Sequence, residues 1–76
     1  DARTTAIVDV PEVDAEFARR MTTLLTGARH EGGAQPSTMS VEVIYDPKQR
    51  HLKIVVVGDP SEAVQIMQLA QAMLEG

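Results

Sequence analysis

Few residues in this chain have the types and spacing that catalysis or metal binding requires. The two histidines, His30 and His51, lie far apart, and neither has a cysteine or a paired carboxylate at ligand spacing. No nucleophile stands beside a base, because Ser37, Ser40 and Ser61 fall in predicted loops or at a predicted helix start. We therefore expect no enzymatic activity, no metal site and no cofactor.

Nucleic-acid binding is the other chemistry that side chains can reveal, and its signal here is weak. The chain has seven basic and eleven acidic residues, which gives a formal net charge of −4. A general nucleic-acid binder needs a basic face, because neutralising phosphates supplies most of its affinity. Phe17 and Tyr45 are too few aromatic residues for a base-stacking platform. The basic residues come close to clusters only at Arg19–Arg20 and at Lys48, Arg50 and Lys53.

The composition is that of one small folded domain. The chain has 76 residues, 43% of them apolar, and a domain of this size buries about 60% of the surface of its unfolded chain. It has no cysteine, which suits a reducing compartment, and we expect a cytoplasmic location. No window reaches the ~18 apolar residues of a membrane span, no signal peptide is visible, and we expect no membrane partner. Because the chain opens on Asp1 rather than methionine, we expect residues 1–76 to be one domain of a longer protein.

The hydrophobic pattern predicts three strands and two helices in the order β-α-β-β-α. Apolar and polar residues alternate along the predicted strands Thr4–Val10 and Val41–Tyr45, whereas Leu52–Val57 is apolar on both sides. The first helix is predicted from about Asp14 to Ala28, with Asp14 as its N-cap. Its predicted apolar face comprises Phe17, Met21, Leu24, Leu25 and Ala28.

Two connections around the second strand differ in character. The segment Arg29–Ser40 contains Gly32–Gly33 and Pro36–Ser37 with little apolar content, and it is predicted to be a flexible loop. The segment Asp46–Arg50 opens with Asp-Pro, which favours a type I turn. The second and third strands are therefore predicted to form an antiparallel hairpin.

The last third of the chain carries the clearest helix start. The third strand stops at Gly58, and Asp59 is placed to accept hydrogen bonds from the first free amides of a helix. Pro60 occupies the first helical position and Glu62 the third position of a capping box. The apolar stripe of this helix comprises Ala63, Ile66, Met67, Ala70, Met73 and Leu74.

These patterns predict an α+β fold with a three-stranded antiparallel sheet and both helices on one face. The third strand should be central, because it alone is apolar on both sides. On the face turned away from the helices, alternation then places an exposed apolar patch of Ile7, Ile44, Val55 and Val57, which we predict to be a protein-contact surface. The first strand leaves an alternative, in which Ala6, Val8 and Val10 point to that face instead.

The whole chain resembles a type I KH domain, a small RNA-binding module of post-transcriptional regulators. The resemblance rests on the apolar-Pro pair Val10–Pro11 at the end of the first strand and on the element order. It is closest in the segment Lys53–Val64, where a strand, a glycine and an acidic, proline-bearing cap lead into the last helix. It implies the same sheet, with the last strand central, and a role in RNA binding.

The chain departs from that family at the residues that would bind RNA. RNA-binding KH domains carry a GxxG loop between their first two helices, where bare backbone approaches the phosphates. The matching segment Phe17–Leu24 has no glycine and is predicted to be one unbroken helix. The family's binding residues therefore cannot be carried over. Arg19 and Arg20 occupy that region and remain candidate RNA contacts, because arginine is a natural phosphate ligand.

Three functions remain open. The first is a degenerate KH-like module of an RNA-regulatory protein, which acts by contact with a protein partner or a neighbouring domain and binds RNA weakly or not at all. The second is a true single-stranded RNA-binding KH domain. The third is a ring-forming domain of a secretion apparatus, since some of these share the β-α-β-β-α order. The acidic balance and the missing glycine loop favour the first.

Overall fold

The predicted order of elements is confirmed in the computed structural model, which describes residues 2–30 and 39–76. The strands β1, β2 and β3 are Thr4–Val10, Ser40–Asp46 and His51–Gly58, and the helices α1 and α2 are Ala15–His30 and Pro60–Glu75. Most of the predicted loop between α1 and β2, residues 31–38, lies outside the described residues.

The sheet is antiparallel with the order β1-β3-β2, so the strand that is apolar on both sides is central, as predicted. The register pairs Val8 with Ile54, and Ile54 with Val43. These three residues lie in one row on the helix-covered face of the sheet. The row through the next residue, Val55, lies on the opposite face, because side chains alternate along each strand.

Both helices cover one face of the sheet, and the core lies between them. Leu52, Ile54 and Val56 of β3 are fully buried there against residues of α1 and α2. Helix α1 packs mainly against β2, and α2 packs against β3 and β1. The buried helical residues of the core are Ala18, Met21 and Leu25 of α1 and Ala63, Ile66 and Ala70 of α2.

The predicted apolar face of α1 is wrong at Leu24, whose side chain is 52% exposed. The stripe that reaches the core runs instead through Ala18, Met21 and Leu25. Leu24 lies roughly 90° around the helix axis from the middle of that stripe, since successive residues turn by about 100°.

Both helices begin where the sequence predicts. The Asp14 carboxylate accepts the Phe17 N–H at 2.8 Å, and the Asp59 carboxylate accepts the Glu62 N–H at 2.9 Å. Helix α1, however, continues through Gly27 and past the predicted end at Ala28. Gly27 does not end the helix. A glycine that ends a helix typically adopts a positive φ, and among the described glycines only Gly76 does so.

The start of β2 is held against the end of β3. Met39, just before β2, is buried, and its side chain lies over Gly58. A Cβ atom at Gly58 would stand 3.2 Å from the Cβ of Met39, closer than ordinary van der Waals contact. The glycine that ends β3 therefore provides the space in which Met39 packs.

The loop between β1 and α1 is clipped to the hairpin between β2 and β3. The buried Val13 donates its N–H to the Arg50 carbonyl at 2.8 Å and accepts the Tyr45 hydroxyl proton at its own carbonyl, 2.6 Å away. Each of the two segments contains a residue with a left-handed backbone conformation. Glu12, at φ 61°, directly precedes Val13, and Arg50, at φ 55°, supplies the carbonyl that accepts the Val13 N–H. We refer to these two hydrogen bonds as the Val13 clip.

Candidate functional site

The two arginines predicted as RNA contacts lie on the first half of α1, and both are engaged within the helix. The Arg19 guanidinium forms an ion pair with Glu16 at 2.9 Å, with both side chains about two-thirds exposed. Arg20 lies over the Phe17 ring, 5.8 Å from its centroid. An exposed pair of this kind is weak and competes with solvent, so Glu16 lowers the local positive charge without fixing Arg19 in place.

No backbone cradle for phosphate accompanies these arginines. Helix α1 is continuous from Ala15 to His30, so the amides between Phe17 and Leu24 are used in helical hydrogen bonds. A KH-type contact needs free backbone at this place. The second group of basic residues, Lys48, Arg50 and Lys53, lies in the hairpin turn and on β3. Lys53 lies on the face of the sheet turned away from the helices, so it does not share a surface with Arg19 and Arg20.

The four predicted contact residues all lie on the face of the sheet that the helices leave bare, which we call the open sheet face. Ile7 is 58% exposed and Ile44 51% exposed, whereas Val55 and Val57 are half-buried. The register places Ile7 beside Val55, so these two form the centre of the patch. The alternative for β1 is excluded, since Ala6, Val8 and Val10 pack against the core.

Polar side chains surround this apolar centre. Glu42 lies opposite Val55 on β2, and Lys53 separates Asp9 of β1 from Ile44 of β2. The His51 Nε2 atom lies 3.3 Å from the Asp9 carboxylate at the same end of the sheet. Ile44 lies at the β2 end of that charged row, diagonally across from Val55, so it borders the Ile7–Val55 pair at the edge of the patch. An apolar centre inside a polar border is the usual composition of a protein-contact surface.

A second apolar surface was missed in the sequence. It is a groove of about 410 Å³ between β1 and α2, which we call the β1–α2 groove. Val64 is 52% exposed there, and Leu74, predicted to belong to the core stripe, is 37% exposed. The groove is lined by Thr4, Ala6, Val8, Ala63, Val64, Met67, Gln68, Ala70, Gln71 and Leu74.

The groove exists because the side chains of β1 that face the helices are small. Thr4, Ala6 and Val8 do not fill the space beneath the outer flank of α2, so Met67 and Leu74 stay partly open to solvent. The sequence held one signal for it. The apolar stripe of α2 includes Met67 and Leu74 on one flank. The small helix-facing residues of the edge strand β1 cannot cover a stripe of that width.

Other kinds of site find little support in the part of the chain that the structure describes. There, no three histidine, aspartate or glutamate side chains lie close enough together to hold a metal ion. None of the helices described is both long enough and apolar enough to cross a bilayer. The pKa of Asp59 lies below the ordinary value, mainly because its carboxylate accepts the Glu62 amide, and this is a capping effect.

No protein-family model, curated protein sequence or solved structure matches this chain. Within the residues that the structure describes, the candidate contact surfaces are the open sheet face and the β1–α2 groove.

Proposed function

We propose that this domain is a protein-contact module with a divergent KH-like fold, whose open sheet face docks a partner protein or a neighbouring domain of its own chain. The observation that carries the proposal is the exposure of Ile7 and Ile44 beside Val55 and Val57 on one face. Burying such side chains contributes a favourable hydrophobic term of about 25 cal/mol for each Å² removed from water, from which the entropic cost of association is subtracted. Exposed apolar patches on small soluble domains usually mark contact sites.

The geometry gives less support to RNA recognition. Arg19 is paired with Glu16, Arg20 is stacked on Phe17, and helix α1 offers no free amides between them. We expect weak or no binding of single-stranded RNA at physiological salt. The KH resemblance extends the proposal to a parent protein that acts in RNA regulation, where this domain supplies protein contacts. Submicromolar affinity for RNA, lost when Arg19 and Arg20 are replaced by alanine, would restore the RNA-binding alternative.

One observation favours a second candidate, the ring-forming domain of a secretion apparatus. A ring of identical subunits uses heterologous contacts, in which one surface of a subunit meets a different surface of the next. In the part of the chain that the structure describes, the open sheet face and the β1–α2 groove are two separate apolar surfaces, one turned away from the helices and the other beside α2. That pair of surfaces is the minimum such an assembly needs.

Photo-crosslinking in the full-length protein tests the proposal. A photoreactive phenylalanine analogue replaces Ile44 on the open sheet face, and a matched control replaces Leu24 on α1, because the two positions are 51% and 52% exposed. We expect a discrete crosslinked product from position 44 and none from position 24. Replacing Val55 and Val57 with threonine should remove the product while the circular dichroism spectrum stays that of the folded domain.

The identity of the product separates the candidates. A crosslink to another protein or to another domain of the same chain supports the proposal. A crosslink between copies, with a mass that grows with concentration in sedimentation, supports the ring-forming domain. Equal crosslinking from positions 24 and 44 would show that the open sheet face has no special affinity and would refute the proposal.

A further inference from the structure

We propose that the β1–α2 groove binds an extended segment of a partner protein, which adds to the free edge of β1 as a fourth strand and inserts alternate apolar side chains into the groove. The proposal rests on the protein-contact function and names the chemistry of a partner at a second surface. It commits to a strand with apolar residues at every second position and basic residues at its ends.

The first argument is the state of the β1 edge. Among the described residues, β1 pairs only with β3, so alternate residues of Thr4–Val10 direct their N–H and C=O groups away from the sheet. Edge strands are normally protected by proline, a bulge or charged side chains. β1 pairs regularly with β3 from Thr4 to Val10, without a bulge or a proline. The one charged residue of β1, Asp9, lies near its C-terminal end. The edge is therefore competent to accept another strand.

The second argument is the groove beside that edge. Thr4, Ala6 and Val8 alternate along β1 and line the groove on one side, while Val64 and Leu74 of α2 line the other. A strand added to β1 would lie about 4.8 Å farther out, and its alternate side chains would point to the same face of the sheet. They would therefore lie over the groove and against α2. The other edge of the sheet lacks this arrangement, since α1 packs against β2.

The third argument is charge. Helix α2, which forms one wall of the groove, carries Glu62 in its first turn and Glu75 at its end and no lysine, arginine or histidine, and Asp59 caps its start. Asp9 of β1 lies on the opposite face of the sheet, beside His51. The nearest basic residue in sequence is Arg3, just before β1. An incoming strand with lysine or arginine at its ends would be attracted to this acidic border, whereas an acidic strand would be repelled. A peptide can form hydrogen bonds with the free edge of β1, whereas a purely aliphatic ligand would leave the N–H and C=O groups of that edge unpaired.

The test uses a synthetic peptide, acetyl-Lys-Lys-Val-Thr-Val-Thr-Val-Lys-amide, titrated into the isotope-labelled 76-residue chain and followed by amide NMR shifts. We expect shifts confined to β1 and to the groove side of α2, and magnetisation transfer between β1 amides and peptide protons. Val64→Arg and, separately, Leu74→Arg should weaken binding by about tenfold or more, because each places a charge where an apolar side chain should be buried. Gln65→Arg adds the same charge to an exposed position of α2 outside the groove and should leave the affinity unchanged.

Backbone pairing is tested with two N-methylated peptides, each methylated at one of the two sets of alternate amides. One of them should lose binding and the other should keep it, because only one set faces β1. Equal binding of both would overturn the strand arrangement. Equal binding of a peptide with glutamates in place of the lysines would overturn the requirement for basic ends.

Failure of this inference is distinguishable from failure of the proposed function. If no peptide causes shifts at β1, while crosslinking from position 44 still gives a partner, the groove proposal is wrong and the contact module stands. If the groove amides shift with protein concentration alone, a second copy occupies the groove and the proposal is also wrong.

Discussion

Replacing Ile54 with alanine is expected to remove a large part of the stability of this domain. Ile54 is fully buried in the middle of the central strand, between Val8 and Val43. Replacing a fully buried isoleucine by alanine costs about 2–5 kcal/mol, and the cost rises where the surroundings cannot close on the cavity. Ile54 is flanked on both sides by hydrogen-bonded strands, which limits how far its neighbours can move into the cavity. We therefore expect a loss of at least about 3 kcal/mol in the free energy of unfolding.

The size of the domain makes this loss decisive. At roughly 0.05–0.15 kcal/mol per residue, 76 residues give a total free energy of unfolding of about 4–11 kcal/mol. A loss of about 3 kcal/mol should lower the melting temperature by about 12–24 °C in a domain of this length. Urea denaturation followed by circular dichroism measures the free energy, and a thermal melt measures the temperature shift.

Ile44→Ala is the matched control, because Ile44 lies on the same sheet but on the open face and is 51% exposed. Its expected cost is below about 1 kcal/mol, since much of its surface is already in contact with water. An equal loss for Ile44→Ala and Ile54→Ala would contradict the assignment of the two faces and, with it, the location of the open sheet face.

Three further predictions concern the loops and caps. Tyr45→Phe should destabilise the domain by about 1 kcal/mol in urea denaturation, because it removes the hydroxyl that donates to the Val13 carbonyl. Glu12→Gly should leave stability unchanged or raise it by up to about 1 kcal/mol, because glycine adopts the positive φ at this position without strain. A clear loss of stability would show that the glutamate side chain itself is required. The Glu62 amide lowers the pKa of Asp59 in the folded state, so the unfolded chain binds this proton first as the pH falls. The stability that ionised Asp59 contributes is therefore present above about pH 4 and lost as the pH falls through the lowered pKa. Asp59→Asn should flatten that part of the pH dependence of the melting temperature, and an unchanged slope would assign it to other carboxylates.

Strand positions were predictable because a half-buried strand imposes a strict alternation on its residues. Thr4–Val10 was predicted to the residue, and the apolar run around Ile54 identified the central strand. The caps at Asp14 and Asp59 were also predictable, because capping depends on local hydrogen bonds between residues close in sequence. These are the features whose physical cause lies within a few residues of chain.

Other features depend on partners that are distant in sequence. Leu24 was predicted to lie in the core because helical spacing alone does not show which flank of the apolar stripe meets the sheet. The β1–α2 groove arises from small residues on one element and a wide stripe on another, which only the packing brings together. Alternation placed Val55 and Val57 on the open sheet face once the central strand was known, but it left two orientations of β1 open, and only the register shows that Ile7 lies beside Val55.

The Val13 clip has a consequence for how the domain opens. Val13 is buried, and its amide proton is held by a carbonyl of the hairpin turn, while its carbonyl holds Tyr45. The N-terminal third and the hairpin therefore cannot separate by fraying at their ends, as terminal segments often do. Hydrogen exchange at the Val13 amide should then proceed only through global opening, as slowly as at the central amides of β3. The first and second halves of the sequence would melt as one cooperative unit.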